Sequence, residues 1–200
     1  VKIIFIRHGQ SVGNHYGLIQ GHLNFNLSDE GRKQAVQTAG EIKNVIGKER
    51  PLIFSSDLSR AWETAVIIAE KLGLNLPIPD HRLRERNMGI LQNTHWTTVN
   101  WEKVNKSEQK IRNLESREKL LERIADFLHF IIANKPIIGR TVIAVTHGGT
   151  LTHIYHKLLR VDVDKVPYIG NAATHVFNLI EEKGKIRGVL DKLKPLQVLR

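Results

Sequence analysis

The chain has 200 residues, 41% of them hydrophobic and 25% charged, ordinary values for a globular protein with a substantial core. It holds no cysteine, which excludes disulfides and thiolate metal sites and accords with a reducing, cytoplasmic setting. The formal net charge of +10 suits anionic partners, yet the Lys and Arg residues are scattered and only Lys183 to Lys194 is locally basic, with no interleaved aromatic residues, so no nucleic-acid partner is expected. The longest apolar stretch, Phe127 to Ala133, is broken by His129 and too short to cross a bilayer. The first residues open directly into a strand without a signal-peptide pattern, so no membrane partner is expected either.

The unbroken apolar run from Ile3 to Ile6 reads as a buried strand of a parallel sheet that stops at Arg7-His8-Gly9. In an open α/β sheet, ligands sit in the loops after the carboxyl ends of strands. A guanidinium fork suits phosphate, an imidazole serves as nucleophile, base or ligand, and a glycine permits a sharp turn or a close approach. The tripeptide alone favours a plainer reading, a strand end with a solvated Arg-His pair. Val12 to Asn26 is rich in Gly, Asn and His, lacks periodicity and reads as a long loop. Ser28 or Asp29 caps a helix to about Val45. Leu52-Ile53-Phe54 is a second buried strand, stopped by Ser55-Ser56-Asp57, and a helix follows from about Leu58 to Leu72, closed by Gly73. Leu76 to His81 holds two prolines and is at best a short edge strand.

Leu83 to Thr94 has no clear period, and Thr97 to Arg112 is polar and part-helical. Glu115 to Asn134 carries the strongest amphipathic pattern. Thr141 to Val145 is a third buried strand, ending at Thr146-His147-Gly148-Gly149, with a helix after it to Leu159. Val176 to Ile180 and Ile186 to Leu190 read as late strands around a turn at Glu182 to Lys185. No repeat or linker divides residues 1–200. The alternation predicts one domain, a three-layer α/β/α sandwich on a mostly parallel sheet.

If the three buried strands run parallel, their ends share a rim. Arg7, His8, Arg60 and His147 then converge on one crevice beside helix N-termini, an arrangement suited to a dianion and above all to a phosphoryl group. Taken singly, Arg60 reads as a surface charge and His147 as a satisfied histidine; their coincidence at one rim changes the reading. His153 and His156, three apart on a helix, have no third acid or thiolate nearby and read as ordinary helix residues. No His-Glu-x-x-His spacing occurs, and arginines are poor neighbours for a metal ion, so no metal and no cofactor are expected.

The set of Arg7-His8-Gly9 with Asn14, Leu58-Ser59-Arg60-Ala61, Thr64-Ala65, Leu83-Arg84-Glu85 and His147-Gly148-Gly149 resembles the histidine phosphatase superfamily, the phosphoglycerate-mutase-like fold, across roughly residues 1–180. Gln20-Gly21-His22 and Asn26 to Gly31 resemble the family's segment after the first loop. The resemblance implies that His8 is the phosphoryl-accepting nucleophile, attacking as neutral imidazole. It implies that Arg7, Arg60 and His147 hold the equatorial oxygens, and that Glu85 protonates the leaving alkoxide and later takes a proton from water. Asn14, Gln20, Gly21 and Gly148 would line the phosphate and the substrate entrance. Among Arg82, Arg84 and Arg86, Glu85 also has a plain reading as a surface acid.

The family contains hydrolases and mutases. Glu85-Arg86 followed by Gly89, Leu91 and Gln92 resembles the mutase segment, but Asn87-Met88 stands where a mutase has His-Tyr, and the long basic insertion of the cofactor-dependent mutases is missing between Trp96 and Ser116. Gln20-Gly21-His22 is closer to the phosphatase pattern, although Gln92-Asn93 replaces the Glu-Gly that phosphatases often carry. A metal-independent phosphatase acting on a small phosphomonoester is therefore expected ahead of a mutase, and both ahead of a non-catalytic phosphate-binding protein. A late edge strand at Val176 to Leu179 would offer a second copy a place to pair as a homodimer.

Overall fold

The computed structural model describes residues 1–190 apart from 135, 138, 167, 183 and 184. Half of the basic stretch Lys183 to Lys194 and part of the turn read at Glu182 to Lys185 lie outside the described residues. The first strand, β1 (Lys2–Arg7), is central. The sheet also contains β2 (Leu52–Ser55), β3 (Ile78–Pro79), β4 (Val142–Thr146), β5 (Thr174–Glu182) and β6 (Lys185–Leu190), in the order β3-β2-β4-β1-β5-β6. The pairs β1–β4, β2–β4 and β2–β3 are parallel, while β5 runs antiparallel to β1 and β6 antiparallel to β5.

The apolar run of β1 is continuous because both faces of the sheet are covered. Ile3 and Phe5, with Val142 and Ala144 of β4, join one core with α5 (Arg117–Ala133) and α6 (Gly148–Leu159). Ile4 and Ile6, with Ile143 and Val145, join a second core with α2 (Asp29–Ile46) and α3 (Ser59–Leu72). The two clusters are the two interfaces of a three-layer sandwich, as the sequence predicts. Edge-to-face aromatic pairs lock the first of them, Phe5 on Phe177 at 6.0 Å and Phe54 on Phe127 at 5.9 Å between ring centroids.

Two expectations change, and one is sharpened. The loop read at Val12 to Asn26 begins with a one-turn helix, α1 (Val12–His15), made by a capping box in which Ser11 and Asn14 satisfy each other's backbone; four residues are too few to show a period. Thr97 to Arg112 is part-helical as read, with helix at 96–98, α4 (Trp101–Lys106) and 108–110. The strand around Val176 to Leu179 is not an edge: β5 lies between β1 and β6, its backbone is paired on both sides, and the outer strand is β6. That strand therefore has no free backbone to offer a second copy.

Candidate active site

β1, β2 and β4 end on one rim, and the backbone ties the ends together: His8 N donates to Thr146 O and Ser56 N to Val145 O. Gly9 and Gly31 of α2 lie so close that a Cβ on either would strike the other segment's carbonyl oxygen, so Gly9 serves the close approach of a helix rather than of a ligand. Beside the rim opens a cavity of about 480 Å³ whose wall includes Arg7, His8, Asn14, Gln20, Gly21, Arg60, Glu85 and Gly148. Eight of the nine site residues singled out in the sequence thus meet in one place. The ninth, His147, is fully buried and stands outside the wall, its ring 5.0 Å from that of His8 and edge-on to it.

The protonation pattern follows from the partners. His8 Nδ1 lies 2.7 Å from Gly9 O, which can only accept, so the ring proton sits on Nδ1. Nε2 keeps its lone pair and accepts the Arg60 Nε–H at 3.2 Å. Burial lowers the His8 pKa well below the ordinary histidine value, and the nearby Arg60 and Arg7 charges lower it further. Ser56 Oγ accepts the Leu58 N–H at 3.3 Å and lies 2.8 Å from His147 Nε2. Nδ1 of the same ring has no partner among the described residues. Burial first, then Arg60, holds His147 neutral too.

Arg60, which taken singly reads as a surface charge and with its rim neighbours as a site residue, is 1% exposed. Its remaining donors go to carbonyls of the first loop, Nη1 to Leu23 O and Nη2 to Gly21 O, each at 2.8 Å. Desolvation lowers its pKa to about 10, which leaves it charged at neutral pH. Arg7 gives Nη1 to Ile169 O, and its buried Nε has no partner among the described residues. Asn14 Oδ1 accepts from Asn171 Nδ2 at 3.1 Å, and Gln20 Oε1 lies 2.8 Å from Ser11 Oγ, so both amides are fixed from behind.

Glu85 is not a surface acid among arginines. Its carboxylate lies at the N-terminus of α6, accepting from Gly149 N at 3.0 Å, Thr150 N at 3.1 Å and Arg86 N at 2.8 Å. A Cβ on Gly149 would come within 2.6 Å of Glu85 Oε1, so this position admits the carboxylate only as glycine. Arg123 of α5 fixes the segment from behind, donating to the carbonyls of Arg82, Arg84 and Glu85 and to the Glu115 carboxylate. Arg123, Ser56 and His22, whose Nε2 lies 2.7 Å from Glu85 O, were not singled out individually in the sequence, where nothing but long-range contact marks them. His153, read as an ordinary helix residue, lines the cavity.

The same burial makes the fold acid-sensitive. His8 and His147 have strongly lowered pKa values, and desolvation lowers His175, paired with Tyr155, to about 4. Below the ordinary histidine value of about 6.5 the unfolded chain binds protons that the folded chain refuses, so stability is full above 6.5 and declines from there towards pH 4. Each histidine that stays neutral contributes a loss of about 1.4 kcal/mol per pH unit in that window. Urea unfolding should show a lower midpoint at pH 5 than at pH 7; a midpoint that holds or rises would contradict the neutral assignments.

The histidine phosphatase superfamily (branch 1) matches residues 3–192. The chain belongs to this family. Among its relatives, it is 33% identical over 193 residues to phosphoglycerate mutase-like protein 4 of Arabidopsis thaliana, covering 90% of this chain and 80% of that one. It is also 33% identical over 194 residues to the metal-independent phosphoserine phosphatase of the same plant, covering 91% and 78%. Among solved structures, mycobacterial glucosyl-3-phosphoglycerate phosphatase in complex with VO3 superposes with a TM-score of 0.77 at 31% identity, over 95% of this chain and 96% of that one.

Proposed function

We propose that this histidine phosphatase superfamily member hydrolyses small phosphomonoesters without a metal, through a phosphohistidine formed at His8 Nε2. The observation that carries the reading is the state of that atom: a lone pair on a neutral imidazole, at the cavity wall, flanked by the two guanidinium groups of Arg7 and Arg60. In the first step Nε2 forms a bond to phosphorus while the ester P–O bond breaks, and the leaving alkoxide takes a proton from Glu85. In the second, water attacks the phosphohistidine, gives its proton to Glu85, and the P–N bond breaks to release phosphate. The Arg60 Nε–H now on Nε2 moves to a phosphoryl oxygen as the lone pair engages phosphorus. Arg7 Nε and, with Ser56 donating to its Nε2, His147 Nδ1 have no partner among the described residues and are suited to take equatorial oxygens, where charge develops. Asn14, Gln20 and Gly21 complete the phosphate end, and Gly148 keeps the backbone beside Arg7.

Two observations favour hydrolysis over mutase chemistry: phosphatase names among the relatives, and only a short helix and two single turns between Trp96 and Ser116. Metal independence is supported by the relative named a metal-independent phosphoserine phosphatase. The test is phosphorus NMR in EDTA with a panel including phosphoserine, sugar phosphates, and 3-phosphoglycerate with trace bisphosphoglycerate. Free phosphate is expected. Formation of 2-phosphoglycerate without free phosphate would make the protein a mutase, loss of turnover in EDTA would refute metal independence, and no turnover at all would make it a phosphate-binding protein.

A further inference from the structure

Once the phosphate has taken Arg7, His8, Arg60 and their neighbours, the leaving group must meet the rest of the cavity wall. That remainder includes the apolar side chains of Leu18, Ile19, Met88 and Trp101. Among the described residues that line the cavity, the cations are Arg7, Arg60 and Arg86, and the first two face the phosphate. Arg86 is the one cation placed to meet a charged leaving group, and it is already engaged. Its Nη2 lies 2.8 Å from Glu108 Oε2, its Nη1 3.3 Å from Glu108 Oε1, and its Nε donates to Glu115 O at 2.8 Å. Both partners of the Arg86–Glu108 pair are largely buried, with side-chain exposures of 10% and 18%, so the pairing is not a loose surface contact. His153, which also lines the cavity, is held below its ordinary pKa by burial and carries no compensating charge.

A carboxylate brought against this wall would leave water without gaining a cation, and burying an unpaired charge is heavily penalised. An uncharged alcohol with an apolar body loses nothing of the kind and gains contact with Trp101 and Met88. Resting on the phosphatase reading above, we infer that the substrates are phosphomonoesters of uncharged alcohols with an apolar face, and that Glu108 is a specificity-determining residue that excludes carboxylate-bearing esters by occupying Arg86. Glu108 does this from a turn after α4, and Arg117 holds it in place through a second contact of 2.9 Å to Oε1.

Matched esters test the inference. Glycerol 3-phosphate and 3-phosphoglycerate differ in one end, hydroxymethyl against carboxylate; benzyl and ethyl phosphate differ in apolar body. Wild-type kcat/KM should favour glycerol 3-phosphate over 3-phosphoglycerate by about 10-fold or more, and benzyl over ethyl phosphate in the same sense. Glu108→Gln, which keeps the shape and frees Arg86, should narrow the first ratio by about 10-fold, and adding Arg86→Met to it should restore the discrimination. A wild-type preference for 3-phosphoglycerate, or a ratio indifferent to Glu108→Gln, overturns the inference while leaving the phosphatase in place. The wild-type ratio decides even if the variant fails to fold. Absence of turnover with all four esters would overturn the phosphatase reading itself, and this inference with it.

Discussion

His8→Ala is expected to lower kcat by about 10⁴-fold or more, the scale on which enzymes lose rate when a covalent nucleophile is removed. The geometry accounts for a loss of this size. The attacking lone pair is aimed by two hydrogen bonds at once, the Nδ1 proton to Gly9 O and the Arg60 Nε–H to Nε2, so the ring is held in one tautomer and one orientation. No other imidazole substitutes: His147 is buried behind it with Nε2 against Ser56, and His153 is turned by its Nδ1 contact to Gly149 O at 2.8 Å. Protein mixed with substrate and quenched in alkali should retain a covalent phosphoryl group in the wild type and none in His8→Ala. Circular dichroism should be alike for the two. Turnover within tenfold of wild type would sink the phosphohistidine pathway.

Arg60→Ala should lower kcat/KM by about 10³-fold, in the range seen when a guanidinium that stabilises a transferring phosphoryl group is lost. It should also leave a second signature. The Arg60 charge is the largest cause after burial of the lowered His8 pKa. Without it, the acid limb of the rate profile, where neutral His8 becomes imidazolium, should move upward in pH towards the ordinary histidine value. Lysine would not repair the defect, because a single ammonium cannot serve His8 Nε2, Gly21 O and Leu23 O together. The unpaired carbonyls add a stability cost of about 1–3 kcal/mol, readable separately by denaturant unfolding. A rise in KM with kcat and the pH profile unmoved would reduce Arg60 to a ground-state binding group.

Much of this architecture is legible in the sequence, for a physical reason. Continuous apolar runs such as Ile3 to Ile6 and Val142 to Val145 can only be strands buried on both faces, and strands of that kind run parallel and expose their carboxyl ends together. The rim residues therefore announce themselves by following such runs. What stays hidden depends on distance along the chain. Arg123 reaches 38 to 41 residues back to hold the Glu85 segment, and no local pattern distinguishes it from its neighbours on a polar helix face. Glu85 itself looks like one charge among many until the N-terminus of α6 is folded against it. The pairing partners of β5 are likewise a matter of topology: alternation marks a strand, but not which strand closes the sheet.

The phosphoryl-holding groups and the rest of the cavity wall differ in what carries them. Arg7, His8 and His147 sit at or next to the ends of sheet strands, and Arg60 opens a helix packed on that sheet, whereas Met88, Trp101 and Arg86, with its partner Glu108, belong to the connecting segments between β3 and α5. Glu85 apart, which the N-terminus of α6 and Arg123 hold in place, drift in those segments is drift in taste alone. A lineage can exchange one alcohol for another by rewriting a few loop positions, with no intermediate ancestor obliged to rebuild its phosphoryl chemistry, and a family so constructed is free to diversify at its mouth while its floor stands still.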